Sequence, residues 1–298
     1  VARLDISRFD VIETPQMPYT HLFPLAYRAR RAGVPLVVTW YEVWGRYWSH
    51  YVGALQAPIY RSIEILAAQL GTAATASSEL TRQRLAQLRR GSPPERIPCG
   101  IDLERMLAAA DRARTPTAGL VFAGRLIAHK RLDLAISAMA ILAARMQTPP
   151  TLEIFGEGPA KQALEDQARR LGIERLVHFR GHLPSSDDLW TAIAGNHVAV
   201  QPSAREGFGL FPLEAMALGL PVVCCRSPET ALDELVRDRQ EGLWTEPEPH
   251  ELAGALERIL GDHGLREDLA TRARARAAAY SWREVATSFE SLFARLLA

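Results

Sequence analysis

An α/β protein carrying two doubly wound parallel sheets is the fold class this sequence predicts, on three observations. From residue 118 onward, short β-rich runs alternate with amphipathic stretches of helix length. A partial version of the same alternation precedes them. The chain, at 298 residues, has the length of about two domains.

The second half carries the clearest pattern. Runs 120–123, 152–155, 176–179, 198–201 and 221–225 read as strands. Between the first two, Leu132, Ile136, Met139, Ala143 and Met146 recur at steps of four and three, which is a helix with one buried face. Stretches 159–171, 187–194, 212–218 and 251–260 supply the other crossovers. In the first half, runs 10–13, 36–40 and 73–77 read as strands joined by helical stretches. Thr115, Pro116 and Thr117 interrupt the pattern and are expected to be the hinge, giving domains 1–115 and 116–280. The last segment, 281–298, is a packing helix with Trp282, Val285, Phe289, Leu292 and Leu296 on one face, and its return to the first domain is left open.

Composition narrows the function classes. Hydrophobic residues make up 48% of the chain, enough to fill real cores and to exclude disorder. The balance of 35 Lys and Arg against 34 Asp and Glu provides no global field for a polyanion, so no nucleic-acid partner is expected. The Arg-rich tract 266–276 alternates with alanine and reads as a solvated helix face. Cys99, Cys224 and Cys225 cannot form a disulfide framework, and no His/Cys spacing suits a metal, so a cytoplasmic location fits best. Uncharged stretches such as 215–225 fall well short of the ~18 residues that suggest a membrane span. Peripheral membrane contact stays among the expectations. The chain begins without Met and meets a strand-like run at once, so the first domain is expected to be incomplete.

The densest chemical signal is Arg205-Glu206-Gly207-Phe208-Gly209-Leu210-Phe211-Pro212-Leu213-Glu214. It follows a strand, and so lies at the carboxyl edge of the sheet, where open α/β sheets bind ligands. Gly207 and Gly209 allow close backbone approach, and a helix starting near Pro212 points unpaired N–H groups and a positive dipole end at the same place. Glu206 and Glu214 offer acceptors suited to vicinal sugar hydroxyls. A second segment, Gly124-Arg125-Leu126-Ile127-Ala128-His129-Lys130-Arg131, places three cations at a helix start, against the macrodipole. An anionic ligand held by Arg125 and Lys130 explains them. Gly156-Glu157-Gly158 forms a tight strand-to-helix turn. It is only half a dinucleotide fingerprint, because Lys161 stands where a third glycine would be, and this disfavours a dehydrogenase.

Taken together, these residues resemble the retaining glycosyltransferases of family 4, which have the GT-B fold: two Rossmann-like domains facing across a cleft. The resemblance runs through Pro98-Cys99-Gly100-Ile101-Asp102, the Arg125/Lys130 pair, the Gly156-Glu157-Gly158-Pro159 turn, the E-x7-E element from Glu206 to Glu214, and Gly219-Leu220-Pro221-Val222-Val223. It implies that Arg125 and Lys130 hold the donor diphosphate, and that Glu206 holds the transferred sugar with Gly207 and Phe208 closing on it. Glu214 would hold the ribose. Gly124, Gly156, Glu157, Gly209 and Leu210 complete the implied donor site. It also implies retention of configuration, a UDP-, GDP- or similar nucleotide sugar as donor substrate, no cofactor and no metal, and the absence of D-x-D agrees. The acceptor could be a sugar, a lipid-linked molecule or a small molecule.

Two departures stand out. Tyr41 occupies a position where the family usually has histidine, so a cationic imidazole is lost there. The family's first strand and glycine-rich loop have no counterpart before Val1. These departures keep a second reading open, a nucleotide-sugar-binding partner without turnover. On the acceptor side the candidates are Tyr41 and His21. Trp44, Tyr47, Trp48 and Tyr51 have the spacing of a buried helix face.

Overall fold

The computed structural model describes residues 5–113 and 119–298. They form two compact units. One comprises the residues up to Cys99 together with Arg283–Ala298, and the other comprises Gly100–Trp282. The units meet in sequence at Cys99 and Gly100, and the Thr115-Pro116-Thr117 stretch expected as the hinge lies outside the described residues.

The first unit contains β1 (Ile12–Pro15), α1 (Leu22–Ala32), β2 (Leu36–Trp40), α2 (Trp48–Val52), α3 (Ala57–Ala67), β3 (Ala73–Ala76), α4 (Glu79–Leu88) and β4 (Glu95–Arg96). Its strands are parallel in the order β1-β2-β3-β4. Both β2 and β3 are buried along their whole length, as expected for strands covered on both faces and rich in continuous apolar runs. Leu36, Val38, Trp40 and Ala74 point to a core shared with Leu22, Leu25 and Ala29 of α1 and Ala57 and Ala67 of α3. Val37 and Ala73 point the other way, to a core completed by Ile97, Val285 and Leu292. The aromatic cluster is buried only in part: Trp48 is 2% exposed, whereas Tyr51 is 50% exposed. The spacing finds the helix face but not its edge, and Tyr51 lies on that edge against Trp44.

The second unit contains α5 (Leu103–Ala110), β5 (Gly119–Ala123), α6 (Leu132–Arg145), β6 (Thr151–Phe155), α7 (Lys161–Arg170), β7 (Val177–Gly181), α8 (Ser186–Ala194), β8 (Val198–Gln201), α9 (Leu210–Ala217), β9 (Val222–Cys225), β10 (Gly242–Thr245), α10 (Pro249–Gly261) and α11 (His263–Ala277). Its six parallel strands take the order β10-β9-β8-β5-β6-β7. The chain therefore winds outward from β5 through β6 to β7, then returns to β8 on the other side of β5. That reversal between β5 and β8 is the topological switch point, which opens a crevice at the carboxyl ends of the strands. The final helix, α12 (Trp282–Leu297), supplies Val285 and Leu292 to the first unit's core.

Strands β4 and β10 escape the sequence reading, the first because it has two residues and the second because it opens on Gly242. Helix α9 starts at Leu210, so Pro212 is its third residue. The Arg-rich tract lies on α11, where Arg272 and Arg274 are exposed, and Ala273 and Ala277 pack inward. All three cysteines are free thiols. No helix among the described residues is long and apolar enough to cross a membrane.

Candidate functional site

Four strand ends of the second unit carry the site, and the loop after β5 comes first. Gly124 and Arg125 leave the strand, a 3-10 turn spans Ala128–Lys130, and Arg131 takes a left-handed conformation (φ 51°) before α6. The three cations expected to face an anion divide here. Arg131 is satisfied inside the chain, its Nε donating to Asp133 Oδ1 at 3.0 Å, so it needs no ligand. Arg125 is exposed and pairs with no carboxylate among the described residues. Lys130 points across the switch point.

The loop after β8 meets it there. Lys130 Nζ lies 2.5 Å from Glu206 Oε2, with the two side chains only 16% and 15% exposed. Gln201 Nε2, at the end of β8, donates to the same oxygen at 2.7 Å. Gln201 is itself 2% exposed and also donates to Ser203 Oγ. Glu206 is thus fixed by an amide and an ammonium group, while its Oε1 makes neither of these contacts. Beside it Arg205 is buried and pairs with Glu229 at 2.6 Å. The cations leave a mark on His129: burial, then Lys130, Arg205 and Arg125, push its imidazole down to about 4, because a second positive charge is unwelcome there.

Helix α9 starts from Gly209, and the first N–H to find a helical acceptor is that of Leu213, on Gly209 O at 3.1 Å. The N–H groups of Leu210 and Phe211 therefore have no partner within the helix, as is usual for a first turn. Phe208 is 7% exposed and packs its ring against Tyr280, so the loop presents its backbone at this point. Gly207 is half-buried and Leu210 is exposed. Glu214 accepts from Trp190 Nε1 at 3.0 Å. Burial raises its carboxyl above the ordinary value, with the Trp190 hydrogen bond opposing.

The β6 and β7 ends form the remaining wall. Gly156 (φ 123°) passes so close to β5 that a Cβ would sit 2.0 Å from Gly124 O, and one on Gly158 would sit 2.3 Å from Leu126 O. Only glycine allows the two loops to touch, and Leu126 N–H to Glu157 O at 3.0 Å ties them. The Glu157 carboxylate is taken by Lys161 at 2.9 Å. A cavity of about 570 Å³ opens beside Gly124 and Arg125, walled by Gly156, Glu157, His182 and Leu183.

Tyr41 and His21 belong to the first unit. Tyr41 follows β2 and is 47% exposed, and burial of its ring raises the phenol, so it stays neutral. His21 has both ring nitrogens engaged within the chain, Nε2 with Thr14 Oγ1 at 2.9 Å and Nδ1 with Pro18 O. It ties the turn before α1 to β1. Sequence reasoning missed Gln201, Trp190 and His129 as members of the site. A Gln closing a strand that leads into a carboxylate loop was the available signal for the first.

Comparison with known proteins gives the family of the chain. Residues 110–276 match the family model described as glycosyl transferases group 1, which is more than half of the chain. The chain belongs to that family. Residues 2–100 of this group 1 glycosyl transferase match a second model, a glycosyl transferase 4-like domain, so the two matches divide the chain where its two units do. A glycogen synthase of Mycobacterium tuberculosis is 37% identical over 196 residues, 65% of this chain and 46% of that protein. A D-inositol 3-phosphate glycosyltransferase of Corynebacterium urealyticum is 32% identical over 214 residues, 66% of this chain and 50% of that protein. The chain thus spans about half the length of these relatives. Among solved structures, Anabaena HepE in complex with UDP and glucose aligns with a TM-score of 0.78 at 20% identity, over 97% of this chain and 79% of that one. Sucrose-phosphate synthase from Thermosynechococcus elongatus gives 0.78 at 22% identity, over 97% and 74%. These likenesses show the fold: two Rossmann-like units of GT-B type.

Proposed function

We propose that this group 1 glycosyl transferase moves a sugar from a nucleoside diphosphate sugar, such as a UDP- or GDP-sugar, to an acceptor hydroxyl with retention of anomeric configuration. The observation that carries the reading is the Lys130–Glu206 pair at the β5/β8 switch point, with exposed Arg125 beside it. A cation held at a helix start and a carboxylate joined to it match a ligand in which a phosphate adjoins a sugar. Structures of HepE with UDP and glucose support such a donor by analogy of fold.

In this reading Arg125 and Lys130 hold the diphosphate, Glu206 takes sugar hydroxyls, and Glu214 takes the ribose. The bond between the sugar's anomeric carbon and the phosphate oxygen breaks while the acceptor oxygen bonds to that carbon on the same face. The acceptor's proton passes to the departing phosphate oxygen, and nucleoside diphosphate leaves. Arg125 and Lys130 stabilise the charge growing on the leaving group, so the scheme calls on no metal. Tyr41, neutral where a cationic group would help, favours a second reading, nucleotide-sugar binding without turnover. Release of nucleoside diphosphate from a panel of nucleotide sugars with and without acceptors, with the product's anomeric configuration read by NMR, tests both. Retention supports the first reading and inversion contradicts it. Donor binding without acceptor-dependent release selects the second.

A further inference from the structure

The first unit has a surface that the donor chemistry does not use. Helices α1 and α3 share one core and so cover the same face of its sheet. Along α1, Phe23, Tyr27, Arg30 and Arg31 follow one another at i, i+4, i+7 and i+8, a single outward stripe of two aromatic rings and two guanidinium groups. On α3 and the turn before it, Leu55 is 91%, Ile59 62% and Leu66 56% exposed. A groove of about 570 Å³ lined by Phe23, Tyr27 and Arg30 on one side and Gln69 and Leu70 on the other runs between α1 and the turn that follows α3. Large apolar side chains this exposed, on two helices that cover the same face of the sheet, mark an interaction site more than a solvated surface.

Charge says what kind of partner fits. Between Gln16 and Ser78 the chain has five arginines, Arg28, Arg30, Arg31, Arg46 and Arg61, and two carboxylates, Glu42 and Glu64. Glu64 is fully buried, accepting from Tyr19 Oη and from the Trp44 and Gly45 N–H groups, and Glu42 is half-buried. No exposed carboxylate lies in this stretch, in a chain whose charges otherwise balance. The next helix, α4, adds Arg82 and Arg84 against Glu79 alone. Apolar and aromatic side chains with arginines and no exposed acid are the pattern that seats a helix at a bilayer interface, rings at headgroup depth and guanidinium groups on the phosphates.

We infer that the α1–α3 face docks on an anionic lipid bilayer. Co-sedimentation of the full chain with vesicles of phosphatidylcholine alone, or containing phosphatidylglycerol, tests it. Binding is expected to the anionic vesicles and not to the neutral ones, and to fall with added salt. Arg30→Glu with Arg31→Glu should weaken it at least about tenfold. Tyr27→Ser with Ile59→Ser should weaken it even at low salt, with the melting temperature and nucleotide affinity unchanged. Absence from both vesicle pellets would overturn the inference, as would binding that neither pair of substitutions weakens. Self-association in gel filtration that Ile59→Ser abolishes, without vesicle binding, would assign the face to a second copy of the chain and overturn it as well.

Discussion

Lys130 Nζ and Glu206 Oε2 lie 2.5 Å apart although 76 positions separate the residues in sequence. The contact exists because β5 and β8 are neighbours at the point where the sheet reverses its winding, so the loops leaving them converge. A largely desolvated pair of this kind gives little net stability by itself. It does hold a carboxylate and an ammonium group ready for a ligand that interacts with both.

Glu206 and Glu214 should divide their labour. Glu206 belongs to the pair at the switch point, whereas Glu214 stands on α9 with one oxygen held by Trp190. Glu206→Gln should reduce sugar transfer more than affinity for the bare nucleoside diphosphate. Glu214→Ala should reduce both. Equal losses of bare-nucleotide affinity in calorimetry would contradict the division.

His129 should make stability depend on pH. Its imidazole is held at about 4, below the ordinary 6.5, so between those values the unfolded chain takes up a proton that the folded chain refuses. Its contribution is complete above pH 6.5 and is lost as pH falls towards 4. His129→Gln should flatten the melting temperature over that window. Bound nucleoside diphosphate brings negative charge to the same cations, so an NMR titration should show the His129 value rising on its addition. A value indifferent to nucleotide would place the diphosphate elsewhere.

Gly156→Ala should destabilise the second unit by about 1–3 kcal/mol, because a Cβ there meets Gly124 O at 2.0 Å on a left-handed backbone. The loop carrying Arg125 would be displaced with it, so nucleotide affinity should fall together with the melting temperature. Thermal unfolding with and without nucleoside diphosphate measures both effects.

The strands, the crossovers and the loops after β5 and β8 were legible in the sequence, because parallel strands buried on both faces write themselves as short apolar runs. Glu206, Glu214, Arg125 and Lys130 could be named since they lie in the segments that follow β5 and β8, where such sheets gather chemistry. Their partners could not. Gln201 reads as the last residue of a strand, Trp190 as one position of the 187–194 crossover, and Arg131 as a third cation until Asp133 is seen beside it. The contacts of His21 with Thr14 and Pro18 depend on how a turn folds back on β1, which no sequence pattern shows. Strand β4, with two residues, leaves no periodicity to detect, and Phe208 in a glycine loop gives no sign that its ring turns inward to Tyr280.

The most direct test of the account is calorimetric titration of nucleoside diphosphate into the chain and into its Lys130→Ala variant, with folding of the variant verified by circular dichroism. Loss of a charge-assisted contact should weaken binding by about 1 to 3 kcal/mol. An affinity unchanged by the substitution would remove Lys130 from the site, and with it the assignment of the β5/β8 switch point to the donor.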